Sequence, residues 1–187
     1  KYLKDGSKLI EVGSNDGTLL ENFRNTGVDV IGFEPSKTIA ELANNKGVKT
    51  LNKFFNIQNL EMIKKFHSSV DIICSANVIA HIPDLTDVIK SVDKLLSDKG
   101  LLIFEEPYLG SMFSKVSYDQ IYDEHIFMFS VSSIKKIFDL FDFELINVLP
   151  QNTHGGSMRY IIGRKNKHKK SEIISKFLDE EQSKKLD

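Results

Sequence analysis

Residues 8–17, KLIEVGSNDG, constrain the fold of this chain more than any other stretch. The β-forming residues Leu9, Ile10 and Val12 lead into a loop that contains two glycines. The sequence TLLENF follows directly and has the spacing of a helix. A strand, a glycine loop and a helix in this order bring backbone N–H groups and a helix N-terminus to a bound ligand in Rossmann-like domains. The stretch therefore predicts an α/β domain that binds a ligand at this loop.

Strand and helix patterns alternate along the rest of the chain and are joined by short connections. Strands are predicted at residues 28–33, 48–51, 70–75, 101–105, 143–149 and 158–163. Helices are predicted at residues 18–25, 36–46, 57–67, 83–96, 131–141 and 172–185, and residues 108–130 show no regular period. Alternation of this kind indicates a parallel sheet with helices on both faces. Because no helix separates the last two strands, we predict an α/β, Rossmann-like fold whose mostly parallel seven-stranded sheet has an antiparallel strand in its last hairpin.

Composition narrows the class of protein. A length of 187 residues suits one domain with a substantial core, and a formal net charge of -1 argues against a nucleic-acid binder. The sequence has no apolar run near the roughly 18 residues of a membrane span. The single cysteine, Cys74, lies in an apolar run, so we expect a buried side chain and neither a disulfide nor a cysteine metal site. We expect a cytoplasmic protein without nucleic-acid or membrane partners.

The end of the chain differs in composition. Residues 164–170 are mostly basic, and the helix predicted at 172–185 is strongly charged. We expect residues 1–165 to form one ligand-binding domain, and residues 166–187 to form a charged linker and helix with little to pack against. The chain does not begin with methionine. We therefore expect a piece of a longer protein, with residues 166–187 as the start of a further C-terminal domain.

The spacing of the glycine loop distinguishes two classes of ligand. Glu11-x-Gly13-x-x-x-Gly17 differs from the G-x-G-x-x-G of dinucleotide binders and is similar to the first motif of class I S-adenosylmethionine (SAM) methyltransferases. That resemblance implies that Gly13 lets the backbone approach the methionine part of SAM, and that Gly17 lets the following helix pack closely. Ser14 and Asn15 complete the loop as cofactor-binding residues. Glu11 could orient the loop or reach the ligand's amino group through water.

Later stretches are expected to join this loop, because ligands bind outside the carboxyl ends of the strands in such sheets. Glu34, followed by Pro35, ends the second predicted strand about 20 residues after the loop, where a carboxylate can accept both ribose hydroxyls. After the fourth strand, Asn77 would stand near the methionine part. The alternative is that Glu11 and Glu34 are ordinary surface charges. The residues expected to flank the adenine ring follow the third strand and are Asn52, Phe54 and Phe55.

A second informative stretch, YDEH at residues 122–125, places a phenol, two carboxylates and an imidazole in consecutive positions. It follows the fifth predicted strand, where methyltransferases place groups that face the substrate. Histidine, whose unperturbed side-chain pKa is about 6.5, suits a general base at neutral pH, and His125 is the candidate here. Glu124 or a neighbour could fix the tautomer of His125, and Tyr122 could donate a hydrogen bond to a developing oxyanion. The alternative is that these residues are caps and surface polar groups around a loop.

Four motifs span nearly the whole chain and are EVGSNDGTLL at 11–20, ANVIAHIPD at 76–84, YDEH at 122–125 and HGGSMR at 154–159. Taken together, these motifs resemble one family. In the SAM-dependent sugar C-methyltransferases, which act on nucleotide-linked 4-keto deoxysugars, the acceptor is a carbon next to a ketone that becomes nucleophilic as an enolate. The resemblance implies that His125 removes the proton while Tyr122 stabilises the enolate oxygen. It further implies that Glu124 positions the sugar or the base and that His81 faces the sugar.

Some features of that family are missing from this sequence. Family members usually carry an N-terminal zinc module with paired cysteines, which this chain lacks, and a C-terminal domain of which a first helix is present here at most. Asp123 stands where relatives often have histidine, and His154, in a glycine turn, is expected to support the site. We expect SAM as cofactor, with S-adenosylhomocysteine (SAH) as its product, no metal in this chain, and a nucleotide sugar as substrate.

Three functions remain open from the sequence. The first is C-methylation next to the ketone of a nucleotide-linked deoxysugar. The second is methylation of an oxygen or nitrogen atom of another small molecule, which needs only modest help from a base. The third is a non-catalytic module that binds a nucleotide or a protein partner. Degraded glycines or a missing Glu34 would favour the third, and the sequence shows neither.

Overall fold

A computed structural model describes residues 2–186 and shows alternating strands and helices. The strands are β1 (Lys8–Val12), β2 (Asp29–Phe33), β3 (Thr50–Leu51), β4 (Val70–Ala76), β5 (Leu96–Pro107), β6 (Phe143–Gln151) and β7 (Ser157–Arg164). The α-helices are α1 (Thr18–Glu21), α2 (Lys37–Asn45), α3 (Leu85–Leu95), α4 (Leu109–Lys115), α5 (Val131–Asp139) and α6 (Ile173–Ser183). Shorter 3-10 helices lie at Asn59–Phe66, Ile79–His81, Tyr118–Gln120 and Thr153–Gly155.

The strands of the described residues form one seven-stranded sheet in the order β3-β2-β1-β4-β5-β7-β6. β1 pairs in parallel with β2 and with β4, and β2 pairs in parallel with β3. β6 and β7 pair antiparallel, from Phe143 opposite Arg164 to Gln151 opposite Ser157. The predicted fold class is confirmed, because strands joined through helices run parallel and the pair without a crossover helix reverses direction.

The chain divides into two compact units, and the first contains residues 2–75 and 84–102. Its strands have continuous apolar runs, as expected where both faces of a parallel sheet are covered. Ile10, Ile31 and Ile73 are fully buried on β1, β2 and β4. α3 begins after Asp84, whose carboxylate accepts a hydrogen bond from the backbone N–H of Asp87 at 2.9 Å. Such a cap satisfies an N–H group that the first helical turn leaves unpaired.

The second unit contains residues 76–83 and 103–186. Its core includes Phe104 of β5 and Tyr160 of β7, whose rings stack with centroids 5.1 Å apart. α5 begins with a capping box, in which Ser130 Oγ accepts from the N–H of Ser133 at 3.0 Å and Ser133 Oγ accepts from the N–H of Ser130 at 2.9 Å. These reciprocal hydrogen bonds end the irregular segment and start the helix.

Several element boundaries differ from the sequence prediction. The helix predicted at 57–67 is a 3-10 helix with non-helical backbone at Ile63, and the helix predicted at 18–25 is the short α1. Apolar spacing does not separate these forms, because periods of about 3.6 and 3.0 residues both fit a short segment. β5 starts at Leu96 instead of 101, since Leu96 already has extended backbone angles (φ -70°, ψ 130°) directly after α3.

α6 packs within the second unit. Ile174 is 7% exposed, and Phe177 packs edge-to-face on Tyr108 with ring centroids 5.9 Å apart. Glu181 near the end of the helix is 1% exposed. The expectation that this helix has little to pack against is wrong, because its apolar side chains pack within the second unit and three hydrogen bonds stabilise the buried carboxylate of Glu181. A domain boundary at residue 165 and a further C-terminal domain remain predictions.

Candidate functional site

In the first unit, the loop after β1 is held against the end of β2. The backbone N–H groups of Gly13 and Ser14 donate to the carbonyl oxygen of Phe33, at 2.9 and 3.0 Å. Gly13, Asn15 and Gly17 have positive φ angles of 69°, 51° and 80°. Glycine adopts such left-handed backbone without the steric cost that a Cβ atom imposes. The two glycines of the motif therefore lie where the chain reverses its course.

Glycine also permits close packing around this loop. A Cβ atom on Gly17 would lie 3.0 Å from the side chain of Val48 and 3.2 Å from that of Ala43. Gly32 of β2 leaves room for the side chain of Ser14, whose hydroxyl a Cβ atom there would overlap. Ser14 is 3% exposed, and its Oγ has no hydrogen-bond partner within residues 2–186. The loop thus places a buried polar atom beside the end of β2.

The carboxylate of Glu34 directly follows β2 and contacts the loop. Its Oε2 accepts from the N–H of Asn15 at 3.1 Å, and its Oε1 accepts from the N–H of Ser36 at 2.8 Å. A carboxylate has about four lone-pair positions, so Glu34 keeps acceptor capacity for further donors. Asn52 Nδ2 donates to the carbonyl oxygens of Glu34 and Pro35, at 3.1 and 2.7 Å. The amide nitrogen of Asn52 is thereby engaged within the protein.

The two phenylalanines after β3 differ in exposure. Phe55 is 5% exposed and packs edge-to-face on Phe33, with ring centroids 5.2 Å apart. Phe54 is 68% exposed. Of the two rings predicted beside the adenine, Phe54 is therefore available to a ligand, whereas Phe55 belongs to the core that supports this stretch.

Glu11 is a buried acid on β1. It is 6% exposed, and its Oε2 has no hydrogen-bond partner among the described residues. Burial, and secondarily the negative charge of Asp16, raise the pKa of Glu11 to about 8. Asp16 itself pairs with Lys46 at 2.6 Å, and hydrogen bonds from Lys46 and Thr18 lower its pKa to about 2. Glu11 is therefore mostly protonated at neutral pH, so its carboxyl group can donate as well as accept a hydrogen bond.

The residues of this group fit an adenosyl ligand that ends in an amino acid. Glu34 offers carboxylate lone pairs to vicinal hydroxyl groups. Glu11 Oε2 and Ser14 Oγ are buried polar atoms without partners in the described part of the chain. Buried polar atoms are normally hydrogen-bonded, so unpartnered ones beside a glycine loop are consistent with groups that a ligand completes.

In the second unit, the residues expected to act on the substrate lie close together. The N–H of His125 donates to the carbonyl oxygen of Tyr122 at 3.0 Å and closes a turn. The N–H of Ile126 then donates to the carbonyl oxygen of Ala80, also at 3.0 Å. This backbone contact brings the ring of His125 edge-to-face with that of His81, with centroids 5.0 Å apart. The structure therefore brings together three of the four residues predicted to be catalytic.

The hydrogen bonds of His125 indicate its tautomer. Nδ1 lies 3.0 Å from the carbonyl oxygen of Gln120, an acceptor, so this nitrogen holds the proton and donates. Nε2 lies 2.8 Å from the hydroxyl of Tyr122 and accepts from it. The two rings also face each other, with centroids 4.1 Å apart. Nε2 is therefore the nitrogen that can take up a further proton. The sequence could not reveal Gln120, because its contribution is a backbone oxygen.

His81 and Glu124 flank this pair. Burial, and then the charge of His125, lower the pKa of His81, while the charge of Glu124 raises it. The net lowering favours a neutral His81 at pH 7, which can both donate and accept a hydrogen bond. Glu124 is exposed. Glu124 lies close enough to act on His81 by its charge. The tautomer of His125 is set by the carbonyl oxygen of Gln120 and not by the Glu124 side chain.

Asn77, which follows β4, lies next to the HGGSMR motif. Its backbone has a φ of 56°, and its N–H donates to the carbonyl oxygen of Glu105 at 2.8 Å. Its Nδ2 lies 3.4 Å from Nε2 of His154. The Oδ1 of Asn77 is buried and has no partner within residues 2–186. Asn77 therefore presents one engaged and one available side-chain atom.

Two glutamates of β5 support this region, and the sequence analysis did not single them out. Glu106 is fully buried, and its Oε1 accepts from the N–H groups of Val78 and Ile79 at 2.9 and 2.7 Å. Burial raises the pKa of Glu106 to about 7, although these hydrogen bonds oppose the shift. Glu105 Oε2 accepts from Arg159 Nη2 at 2.8 Å. Adjacent acids at the end of a buried strand are the sequence signal that could have identified them.

Three further properties of the described residues concern membrane-spanning helices, metal binding and the single thiol. No helix within residues 2–186 is long and apolar enough to cross a membrane. Among the same residues, no three His, Cys, Asp or Glu side chains are grouped so as to hold a metal ion. Burial, with a smaller effect from the charge of Glu11, raises the pKa of the Cys74 thiol to about 12. At neutral pH Cys74 is therefore protonated and a poor nucleophile.

Comparison with known proteins agrees with these observations. A family model described as a methyltransferase domain matches residues 1–148. C-methyltransferase NovU of Streptomyces niveus is 35% identical over 156 residues, which cover 83% of this chain and 37% of that protein. A ubiquinone biosynthesis O-methyltransferase of Coxiella burnetii is 25% identical over 150 residues, which cover 80% of this chain and 55% of that protein.

Solved structures show the same fold at low identity. A SAM-dependent methyltransferase from Aquifex aeolicus aligns with a TM-score of 0.66 at 15% identity, over 86% of this chain and 83% of that chain. The chain spans 37% and 55% of the lengths of the two curated relatives above. The family match over most of the chain, the sheet order and the glycine loop agree with one another. The chain belongs to the family of S-adenosylmethionine-dependent methyltransferase domains.

Proposed function

We propose that the protein methylates a carbon next to the ketone of a nucleotide-linked deoxysugar, with SAM as the methyl donor. The proposal depends above all on the Tyr122–His125 pair, in which a phenol meets the Nε2 of an imidazole that is protonated at Nδ1. The 35% identity to C-methyltransferase NovU supports carbon as the acceptor atom. Methylation of an oxygen or nitrogen atom has less need of such a pair, because these atoms are already nucleophilic.

A carbon next to a ketone must lose a proton before it can accept a methyl group. His125 would take this proton at Nε2. Its Nδ1–H would stay hydrogen-bonded to the carbonyl oxygen of Gln120, and this hydrogen bond would stabilise the imidazolium. Tyr122 would move its O–H from Nε2 to the ketone oxygen and stabilise the negative charge of the enolate there. Tyr122 and His125 are hydrogen-bonded to each other in this structure, and they would take separate roles when a substrate is bound.

The cofactor would be held mainly by residues of the first unit. When bound, SAM supplies a methyl group that its sulfonium activates for transfer. Glu34 would accept the ribose hydroxyls, Phe54 would cover one side of the adenine, and Glu11 would hydrogen-bond toward the amino-acid part.

The substrate would be positioned by His81 and Glu124. A neutral His81 can donate to or accept from a sugar hydroxyl, and the lowered pKa of this histidine favours that state at pH 7. The exposed carboxylate of Glu124 can accept from a second hydroxyl. The ring of His81 packs on that of His125, and Glu124 acts on His81 by its charge, so both side chains would orient the carbon that loses the proton.

Solvent deuterium exchange tests the proposed base. In the full-length protein, with SAH bound, we expect deuterium to enter the carbon beside the ketone of a nucleotide-linked 4-keto deoxysugar. His125→Ala should slow this exchange and the methylation by about 100-fold or more, as expected for loss of a general base. His67→Ala, in the first unit, is the matched control and should leave both rates unchanged. If His125→Ala leaves exchange and methylation intact, His125 is not the base.

Methylation of an oxygen atom is the second candidate, which the similarity to a ubiquinone biosynthesis O-methyltransferase favours. It predicts methyl transfer to a hydroxyl without exchange at any carbon. A product methylated on oxygen, identified by its mass and NMR spectrum, would support this candidate over C-methylation.

A further inference from the structure

Residues 109–130 connect β5 to α5 and contain Tyr122, Glu124 and His125. The middle of this segment has little burial of its own, since Ile121, Tyr122 and Ile126 are 67%, 47% and 51% exposed. A segment with few buried contacts opens easily unless its ends are held. The N–H groups of Ile126 and Phe127 donate to the carbonyl oxygen of Ala80, and beyond this contact the conformation of the Tyr122–His125 pair depends on how the two ends of the segment are fixed.

A carboxylate from α6 fixes both ends of this segment. Glu181 Oε1 accepts from the hydroxyl of Tyr108 at 2.8 Å and from the N–H of Val131 at 2.7 Å, and its Oε2 accepts from the N–H of Ser132 at 2.8 Å. Tyr108 immediately precedes the segment, and Val131 and Ser132 immediately follow it. Tyr108 also forms an isolated parallel bridge with Phe129. One side chain thus joins the start and the end of residues 109–130.

The environment of Glu181 suits this contact. A carboxylate that is 1% exposed needs hydrogen-bond donors to offset its loss of hydration, and the three donors around Glu181 supply them. Two of these donors are the first N–H groups of α5, where the helix dipole favours a negative charge. Burial and the hydrogen bond to Glu181 raise the pKa of Tyr108, which therefore stays a donor.

We infer that Glu181 is a positioning residue of the active site. It joins the two ends of residues 109–130 and so holds Tyr122 and His125 in their hydrogen-bonded geometry. The catalytic part of this inference rests on the function proposed above. The structural part does not, because it concerns the order of the segment and the tautomer of His125. α6 is accordingly a functional part of the methyltransferase domain.

Hydrogen–deuterium exchange of the full chain tests the structural part. Glu181→Gln keeps the size of the side chain, removes its charge and turns an N–H donor toward a backbone N–H. We expect amides of residues 109–130 to exchange about tenfold faster or more, while amides of β1 and β2 keep their rates. Glu180→Gln is the matched control, since Glu180 is the adjacent acid and pairs at the surface with Lys176 at 4.0 Å. It should leave exchange unchanged.

The imidazole of His125 provides a second readout. In the unaltered protein, ¹⁵N NMR should show a protonated Nδ1 and an unprotonated Nε2, and Glu181→Gln should shift this toward a mixture of the two tautomers. In the full-length enzyme, the same variant should lower kcat about tenfold or more, while the KM for SAM and the affinity for SAH stay unchanged. If the proposed acceptor is wrong but the inference is right, the exchange and NMR changes persist without methylation of a keto sugar.

Either of two results would overturn the inference. Glu181→Gln could speed exchange evenly through the second unit, which would mean that Glu181 only stabilises the fold. It could also leave residues 109–130 as protected as Glu180→Gln does. If Glu181→Gln does not fold, Tyr108→Phe decides, because it removes one hydrogen bond and leaves the N-terminal cap of α5 in place. Unchanged exchange of residues 109–130 in Tyr108→Phe would then contradict the inference.

Discussion

Glu11 and Asp16 belong to the same strand and loop, yet their pKa values move in opposite directions. Burial raises the pKa of Glu11 to about 8, whereas hydrogen bonds from Lys46 and Thr18 lower that of Asp16 to about 2. Glu106, fully buried in the second unit, has its pKa raised to about 7. For these three acids, the pKa is raised where burial dominates and lowered where a cationic partner donates a hydrogen bond.

The raised pKa values predict how stability depends on pH. Because Glu11 and Glu106 have folded-state pKa values of about 8 and 7, above the ordinary 4.5, the native state binds more protons than the unfolded state between these limits. The free energy of unfolding should therefore fall as the pH rises from about 5 to 8. Urea denaturation across this range should show a flatter dependence for Glu11→Gln and for Glu106→Gln. Glu172→Gln, an exposed control, should keep the original slope, and an unchanged slope in Glu11→Gln would contradict the prediction.

The carboxylate of Glu34 is predicted to hold the ribose of the cofactor. Glu34→Gln should weaken SAH binding about 10- to 100-fold, because a hydrogen bond to a charged group contributes about 1.5–3 kcal/mol. Isothermal titration calorimetry measures this directly. Glu41→Gln provides the control, since Glu41 lies on α2 and is paired only loosely with Lys37 at 3.9 Å. Equal SAH affinity in Glu34→Gln and Glu41→Gln would show that Glu34 does not bind the ribose.

At the scale of elements, close approach explains where glycine is needed. α1 starts directly after Gly17, which lies so close to Ala43 of α2 and to Val48 that a side chain at this position would meet both. The 3-10 helix at Ile79–His81 begins where the N–H groups of Val78 and Ile79 donate hydrogen bonds to Glu106. Both elements depend on a contact between parts of the chain that are distant in sequence.

Two glycines share a left-handed backbone conformation but differ in their surroundings, so substitutions at the two positions distinguish backbone strain from overpacking. Gly6 and Gly17 have φ angles of 79° and 80°, but a Cβ atom on Gly6 meets nothing within 4 Å. Gly6→Ala should reduce the free energy of unfolding by about 1–2 kcal/mol, because the added Cβ atom is strained in a left-handed backbone conformation. Gly17→Ala should cost about 1–3 kcal/mol more, because it also overpacks the contact with Val48. Urea denaturation measures both, and equal losses would rule out the packing contribution.

At the scale of the whole molecule, the proposed roles divide between the two units. The loop, Glu34 and Phe54 belong to the first unit, whereas Tyr122, His125 and α6 belong to the second. C-methyltransferase NovU is far longer than the part of it that matches, which is 37% of its length. The residues that we propose to bind the cofactor lie within the 187 residues of this chain. Binding of the cofactor product is therefore the property to test first on this chain alone.

We expect SAH to stabilise this chain against thermal unfolding. At an SAH concentration about 100 times the Kd, the stabilisation should be about 2.7 kcal/mol, because the ligand binds the native state. NAD at the same concentration serves as the control and should have no effect, since the loop lacks the dinucleotide-binding spacing. A rise in the melting temperature with NAD but none with SAH would contradict the assignment of SAM as cofactor.

Most of the fold could be predicted from the chain itself. Apolar runs predicted the parallel strands, and the missing helix between 143–149 and 158–163 predicted the antiparallel hairpin. The predictions failed where a local pattern fits more than one backbone, as at Asn59–Phe66, or where a turn signal lies inside a strand, as at residues 98–100 of β5. Periodicity reports which residues are apolar and does not report how the backbone closes its hydrogen bonds.

The sequence by itself determined the alternation of elements, the glycine loop and the identity of the chemical groups in YDEH. Tertiary structure alone decided that Gln120 sets the tautomer of His125, that Glu106 holds the turn before His81, and that Glu181 buries its carboxylate between Tyr108 and α5. The physical reason is that residue type fixes which hydrogen bonds a side chain can make. Which backbone groups become its partners depends on folding, because those groups are identical in every residue and differ only in their position.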